Sequence, residues 1–163
     1  MASSLIFLQL DGIQGEEKDD KHLNWIRVES FHHAVHQVGS GSTGAGGQRL
    51  VGKTDHHEFT ITKKLDKATP TLNRYASSGQ YIPNAVIEVM TIKNNKKNVL
   101  MKYTFTQVIV SAVQVSSRGD STPLETVAFQ YATIKWEYNQ IGDDGNLMGN
   151  TSASHNLLTQ TSS

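Results

Sequence analysis

The chain has 163 residues, enough for one domain, and its 15 Lys+Arg are balanced by 15 Asp+Glu. Zero net charge gives no basic excess of the kind nucleic-acid binders carry, and it removes the self-repulsion that keeps a protein monomeric, so self-association is open to it. Cysteine is absent, which excludes a disulfide framework, a thiolate zinc site and a cysteine nucleophile.

The hydrophobic fraction is 37%, low for a globular domain, and Val, Ile and Thr together outnumber Leu and Ala. That balance favours strands over helices. The N-terminal run Leu5-Ile6-Phe7-Leu8-Gln9-Leu10 has no Lys or Arg before it and no small-residue cleavage site after it, so it does not read as a secretory signal. No stretch reaches the roughly 18–20 apolar residues of a membrane span. The expectation is a soluble chain made in the cytoplasm, with no membrane insertion.

Leu5 to Leu10 is apolar on both alternating faces, as in a strand covered on both sides. Asp11 to Glu16 reads as a turn, and Glu16 to Lys21 as a charged loop. Trp25 to Val38 reads as one long strand whose apolar face switches near Glu29-Ser30, a mark of a bulge or bend. Gly39 to Gly47 holds five glycines and no large side chain, which predicts a flexible exposed loop.

His57, Phe59 and Ile61 alternate with polar residues as a half-buried strand that Lys63 and Lys64 end. Thr69-Pro70 opens a short helix over about 69–78, with Thr69 as its N-cap, Leu72, Tyr75 and Ala76 as its apolar stripe and Gly79 as its stop. Further strands follow over Ala85 to Ile92, from Val99 to Val115 after the polar loop Asn94 to Asn98, and over Val127 to Tyr138, the last two with phase shifts. From Ile141 the chain turns Gly/Asn/Ser-rich, so residues 141–163 are expected to fray. The fold class is mainly β: a curved antiparallel barrel or sandwich of six to seven strands with one flanking helix, a single domain over 1–163.

Two motifs suggest chemistry. Gly47-Gln48-Arg49-Leu50-Val51-Gly52-Lys53-Thr54 matches the P-loop pattern letter for letter. A working P-loop needs a strand before it and a helix after it. Here a glycine-rich stretch precedes and a strand-like alternation follows, so no nucleotide site is expected. His32, His33 and His36, with His56 and His57, form two clusters. Ligation needs side chains that converge, and strand alternation splits each cluster between two faces. Sheet-surface histidines are the expectation, with no metal and no cofactor. No Ser sits in G-x-S-x-G, and Asp19-Asp20 and Asp143-Asp144 read as solvated loop charges.

Taken in order, several stretches resemble the Hcp family, the tube-forming protein of the bacterial type VI secretion system. They are Leu5-Ile6-Phe7-Leu8-Gln9-Leu10-Asp11-Gly12-Ile13-Gln14-Gly15-Glu16, then Phe59 through Leu72 with its Thr69-Pro70-Thr71-Leu72 helix start, then Ser77-Ser78-Gly79, and finally Ile134-Lys135-Trp136-Glu137-Tyr138. Members often carry Trp-Asn or Trp-Asp near the C-terminus, where this chain has Ser154-His155-Asn156. The resemblance implies a non-enzymatic structural subunit that closes into hexameric rings. The rings stack into a tube that a contractile sheath propels behind a tip spike protein, with effector proteins in the lumen. It implies export without a signal peptide. It also implies that the extended loop from Gly39 to Gly52 meets a neighbouring copy, which marks Gly39, Ser40, Gly41, Ser42, Gly44, Gly46 and Gly47 as contact residues, together with Leu5 and Phe7 of the two-faced strand. A phage-like tail tube protein of a contractile particle is the alternative, and a P-loop enzyme the more distant one.

Overall fold

The structure, a computed structural model, describes residues 3–43 and 49–163, with side chains left undescribed at 38–43 and 49–53. Among the described residues the chain forms twelve strands and one helix. In chain order they are β1 (Ser3–Leu10), β2 (Ile26–Val28), β3 (Ser30–His32), β4 (Val35–Thr43), β5 (Arg49–His56), β6 (Phe59–Lys64), α1 (Thr69–Ser78), β7 (Ile82–Lys93), β8 (Lys96–Ser116), β9 (Leu124–Gln130), β10 (Thr133–Ile141), β11 (Leu147–Asn156) and β12 (Thr161–Ser162).

Every strand pairing is antiparallel, and the pairings close a ring. β7 pairs with β1, β1 with β2, and the chain runs on through Glu29 into β3. Glu29 N–H donates to Thr62 O at 2.8 Å, so the crossing itself stays bonded. β3 pairs with β6, β6 with β9, β9 with β8, and β8 returns to β7. The 21-residue β8 makes this closure possible. Its first half pairs with β7 and β10 and its second half with β9, with a bend at Gln107, where φ is 50°. β9 and β10 bend beside it at Tyr131-Ala132. Such breaks are what a curved sheet needs to close.

The alternating apolar residues of these strands fill the barrel. Phe59, Ile61, Ile82, Ile87, Phe105, Val127 and Ile134 are all buried in one cluster, and α1 adds Leu72 and Tyr75. Phe59 meets Phe105 edge-on with ring centroids 5.0 Å apart, a geometry that adds about 0.5–1.5 kcal/mol beyond area burial. β10, β11 and β12 extend the sheet beyond the barrel, and β4 and β5 form a separate two-stranded sheet.

Several expectations change. Six to seven strands become twelve, partly because the segment read as one strand over Trp25 to Val38 is cut into β2, β3 and β4. The cuts fall at Glu29, where the phase shift lies, and at His33-Ala34. The tail over 141–163 does not fray: β11 pairs along the length of β10, and Ser154 and Ser163 exchange backbone bonds at 2.7 and 3.0 Å. Its side chains are mostly exposed, which is why no alternation marked it. The helix covers the expected residues, and Gly79 ends it at φ 67° with its N–H on Tyr75 O. Its N-cap is Ala68 instead of Thr69. The Thr69 hydroxyl is engaged elsewhere, donating to Glu125 Oε2 at 2.8 Å and accepting from Asp66 N–H at 3.2 Å. Lys63 and Lys64 do close β6, but Lys63 faces inward and is fully buried.

Candidate functional site

The surface least used by the chain itself is the β4–β5 pair. Among the described residues its strands pair with each other and with no other strand. It therefore stands off the barrel as an arm. The register runs Val35 opposite His56, His36 opposite Asp55 and Gln37 opposite Thr54, then slips twice before Thr43 meets Arg49. The expected flexible loop is thus partly an extended hairpin. Gly39, Ser40, Gly41 and Ser42 lie within β4, while Gly44, Gly46 and Gly47 lie outside the described residues.

This hairpin also decides the P-loop question. From Arg49 onward the motif is strand β5, ending at His56, and β6 follows. The helix N-terminus that would turn successive amides onto a phosphate is replaced by an extended strand paired with β4, whose N–H groups alternate between its two edges.

The two-faced strand is covered mostly by its own chain. Ile6, Leu8 and Leu10 turn toward the barrel core, and Phe7, on the opposite face, is 0% exposed. His22, from the loop after β1, stacks on Phe7 at 4.2 Å, and the Arg27 and Lys97 cations each lie 5.2 Å from its ring centroid. His22 is itself buried, with Nδ1 2.6 Å from Asp19 Oδ2 and Nε2 2.7 Å from Glu88 Oε2. Lys97 completes the cluster on Asp19. The hydrogen bonds from Lys97 and His22 hold the Asp19 carboxyl down to about 2. Phe7 therefore has no free surface for a neighbour. Leu5, paired with Met90, remains half-buried. The sequence carried no signal for His22, a single histidine in a charged loop.

The histidine clusters meet at the base of the arm. His33 Nε2 is 2.7 Å from the Tyr131 hydroxyl, and its ring stacks on Phe59 at 5.4 Å. His36 meets His57 edge-on at 4.7 Å. His56 lies parallel to His155 of β11, 4.9 Å away, and 6.3 Å from Trp136. Burial, with help from His56, His32 and His57, lowers the His33 imidazole to about 4. Burial and then His155 lower that of His56, against the opposing pull of Asp55. Among the described residues no three His, Asp or Glu side chains are grouped to hold a metal ion. Strand alternation hid the meeting of these histidines, because the partner that joins His56, His155, comes from the segment expected to fray.

On β10 and β11, Tyr138, Leu147 and Met148 are exposed by 46, 60 and 66%. Single exposed apolar residues are ordinary on a folded chain.

Known proteins with the same architecture give this geometry a context. The family described as "Type VI secretion system effector, Hcp" matches residues 7–138. The protein hcp1 of Pseudomonas aeruginosa is 29% identical over 141 residues, which span 86% of this chain and 86% of that protein. A solved structure of a type six secretion system protein superposes with a TM-score of 0.88 at 29% identity, over 99% of this chain and 100% of that one. Hcp1 from Salmonella typhimurium superposes with a TM-score of 0.81 at 31% identity, over 99% of each chain. With the family pattern running from Phe7 in β1 to Tyr138 in β10, the chain belongs to the Hcp family of the type VI secretion system.

Proposed function

We propose that the chain is the structural subunit of the inner tube of a type VI secretion system. Copies close into a hexameric ring, and rings stack into a tube. A contractile sheath drives that tube out of the bacterium behind a tip spike protein, with small effector proteins in its lumen. The chain is made in the cytoplasm and leaves through the machine it helps to build. Its work is mechanical: shape, stacking and release.

The observation that carries this reading is the arm. A closed barrel of an Hcp-family chain extends two strands that pair with nothing else among the described residues. Unpaired strand edges are a liability unless something covers them, and a second copy of the chain is a suitable cover. Zero net charge sets no long-range barrier to that approach. The contact residues proposed are Gly39, Ser40, Gly41 and Ser42 of the arm, Gly44, Gly46 and Gly47 of the sequence that follows, and Leu5 on β1. Phe7, covered within its own chain, is not among them.

Size-exclusion chromatography with light scattering tests the reading, followed by electron microscopy of the peak. The expected particle is a ring of about six times the 18.0 kDa chain. A chain that stays monomeric at high micromolar concentration overturns it.

A further inference from the structure

The arm leaves the barrel through a junction built of imidazoles. The backbone there is simple: His57 N–H donates to Ala34 O at 3.1 Å, and Val35 faces His56. The side chains tie this neck to two different walls. His33 anchors it to the barrel, against Phe59 and the Tyr131 hydroxyl, which also donates to His57 O at 3.4 Å. His56 anchors it to the extended sheet, face to face with His155 and near Trp136. A cavity of about 430 Å³ opens beside this second anchor, lined in part by Val35, His56, Trp136 and His155. His56 Nδ1 and His155 Nε2 are both buried there without a hydrogen-bond partner among the described residues.

We infer that this junction is a pH-sensitive hinge: charging His33 and His56 in mild acid frees the base of the arm from the barrel wall and from β11 while the barrel stays folded. An imidazolium at His33 would have to be desolvated against Phe59 and Tyr103. One at His56 would sit face to face with the His155 ring, which opposes a charge there.

The surrounding groups do not compensate. Asp55 favours a charge on His56, but it is exposed to solvent. The Glu58 carboxylate on the barrel side accepts from Gln130 at 3.0 Å. Lys135 on β10 pairs with Glu137 at 3.3 Å. His32 on β3 adds a like charge to His33. Burial pushes the hydroxyls of Tyr103 and Tyr131 up, so both stay neutral throughout. The sign follows from His33. Its folded value of about 4 lies below the ordinary 6.5, so the folded neck binds fewer protons than the released one. Anchoring is complete above about 6.5 and is lost as the pH falls toward about 4.

The hinge stands on the chain's own contacts; only its consequence, an acid-labile contact between copies, rests on the tube-subunit reading. The test is hydrogen exchange with mass spectrometry on the full chain at about pH 7.5 and about pH 4.5, labelling times scaled for intrinsic exchange. Amides over residues 54–57 should lose about tenfold or more of their protection in acid, while those of β7 and β8 change less than about twofold. The double substitution His33→Gln with His56→Gln should flatten that dependence, and His155→Asn alone, a milder change, should reduce it. Unchanged protection at 54–57, loss matched by β7 and β8, or full acid sensitivity retained in either variant each overturns the hinge. Because exchange reads the neck in monomer and ring alike, this outcome is separate from light scattering at the higher pH, which reports on the ring itself.

Discussion

Lys63 and Glu125 lie directly opposite each other on β6 and β9, and neither side chain exposes any surface. The ammonium pairs with Glu125 Oε2 at 2.8 Å and donates to Asp66 Oδ1 at 2.8 Å, Lys64 O at 3.2 Å and Thr69 Oγ1 at 3.4 Å, so it is fully engaged. Glu125 Oε1 has no such partner among the described residues. Taking two ions out of water costs several kcal/mol each, and their attraction only roughly offsets it. The pair is therefore better read as fixing position than as adding stability. It sets the β6–β9 register and, through Asp66 and Thr69, ties down the turn that starts α1. Lys63→Met should cost about 3–5 kcal/mol, because it leaves a carboxylate buried alone. The double change Lys63→Met with Glu125→Leu should recover most of that loss. Urea unfolding of the two singles and the double closes the cycle. A Lys63→Met cost below about 1 kcal/mol would mean that water reaches the pair.

Two hairpins hold the extended sheet to the barrel, and their turns are bonded to each other. In the β7–β8 turn, Asn94 and Asn95 take φ of 49 and 60°, as a two-residue hairpin turn requires. Asn94 Nδ2 donates to Asp143 O at 2.9 Å and Asn98 Nδ2 to Gly145 O at 2.7 Å, while Lys93 pairs with Asp143 at 2.9 Å. Gly145, in the β10–β11 turn, has φ of 80°, and a Cβ there would lie 2.5 Å from Lys93 O. Gly145→Ala should therefore cost upward of about 1 kcal/mol and loosen both turns. Gly149→Ala, where a Cβ meets nothing within 4 Å, should stay within about 0.5 kcal/mol. Thermal melts of the two variants make the comparison, and equal melting points would sink the docked-turn account. This pairing was not legible in the sequence. Barrel strands announced themselves because each has one buried face: Phe59, Ile61 and Val127 alternate with polar residues, and the phase shifts at Glu29 and near Tyr131 coincide with real breaks. β11 has almost no buried side chain, so its order comes from backbone pairing with β10, which leaves no pattern. Lys63 and Lys64 do mark the end of β6, but the buried pairing of Lys63 was not legible, because its partner lies 62 residues on.

At the level of the molecule, folding and assembly occupy different parts of the chain. The ring of pairings from β1 through β9 and back through β7 does not include the arm, whose strands form their own sheet. The buried core cluster likewise draws no residue from β4 or β5 among the described residues. The barrel should therefore survive a shorter connection between Val35 and His56. Closing a shorter loop changes the entropy by only a few tenths of a kcal/mol. The arm's own cost runs the other way: its glycines lose more conformational freedom on ordering than other residues, so a partner surface is the natural source of their order. Deleting Ser40 to Gly46 should accordingly leave the β-sheet circular dichroism and a single cooperative melt, and should weaken contact between copies, read as loss of ring or stacked-ring mass in light scattering. Export in a bacterium with an active type VI machine should fall with it, because a tube that does not stack cannot be pushed. The neck residues His33 and His56 lie outside the deletion, so the shortened chain keeps the barrel anchors while losing the reach of the arm. A variant that unfolds would show that the arm belongs to the fold after all, and one with unchanged rings and unchanged export would show that copies meet elsewhere, with the exposed side chains of Tyr138, Leu147 and Met148 as the next residues to substitute.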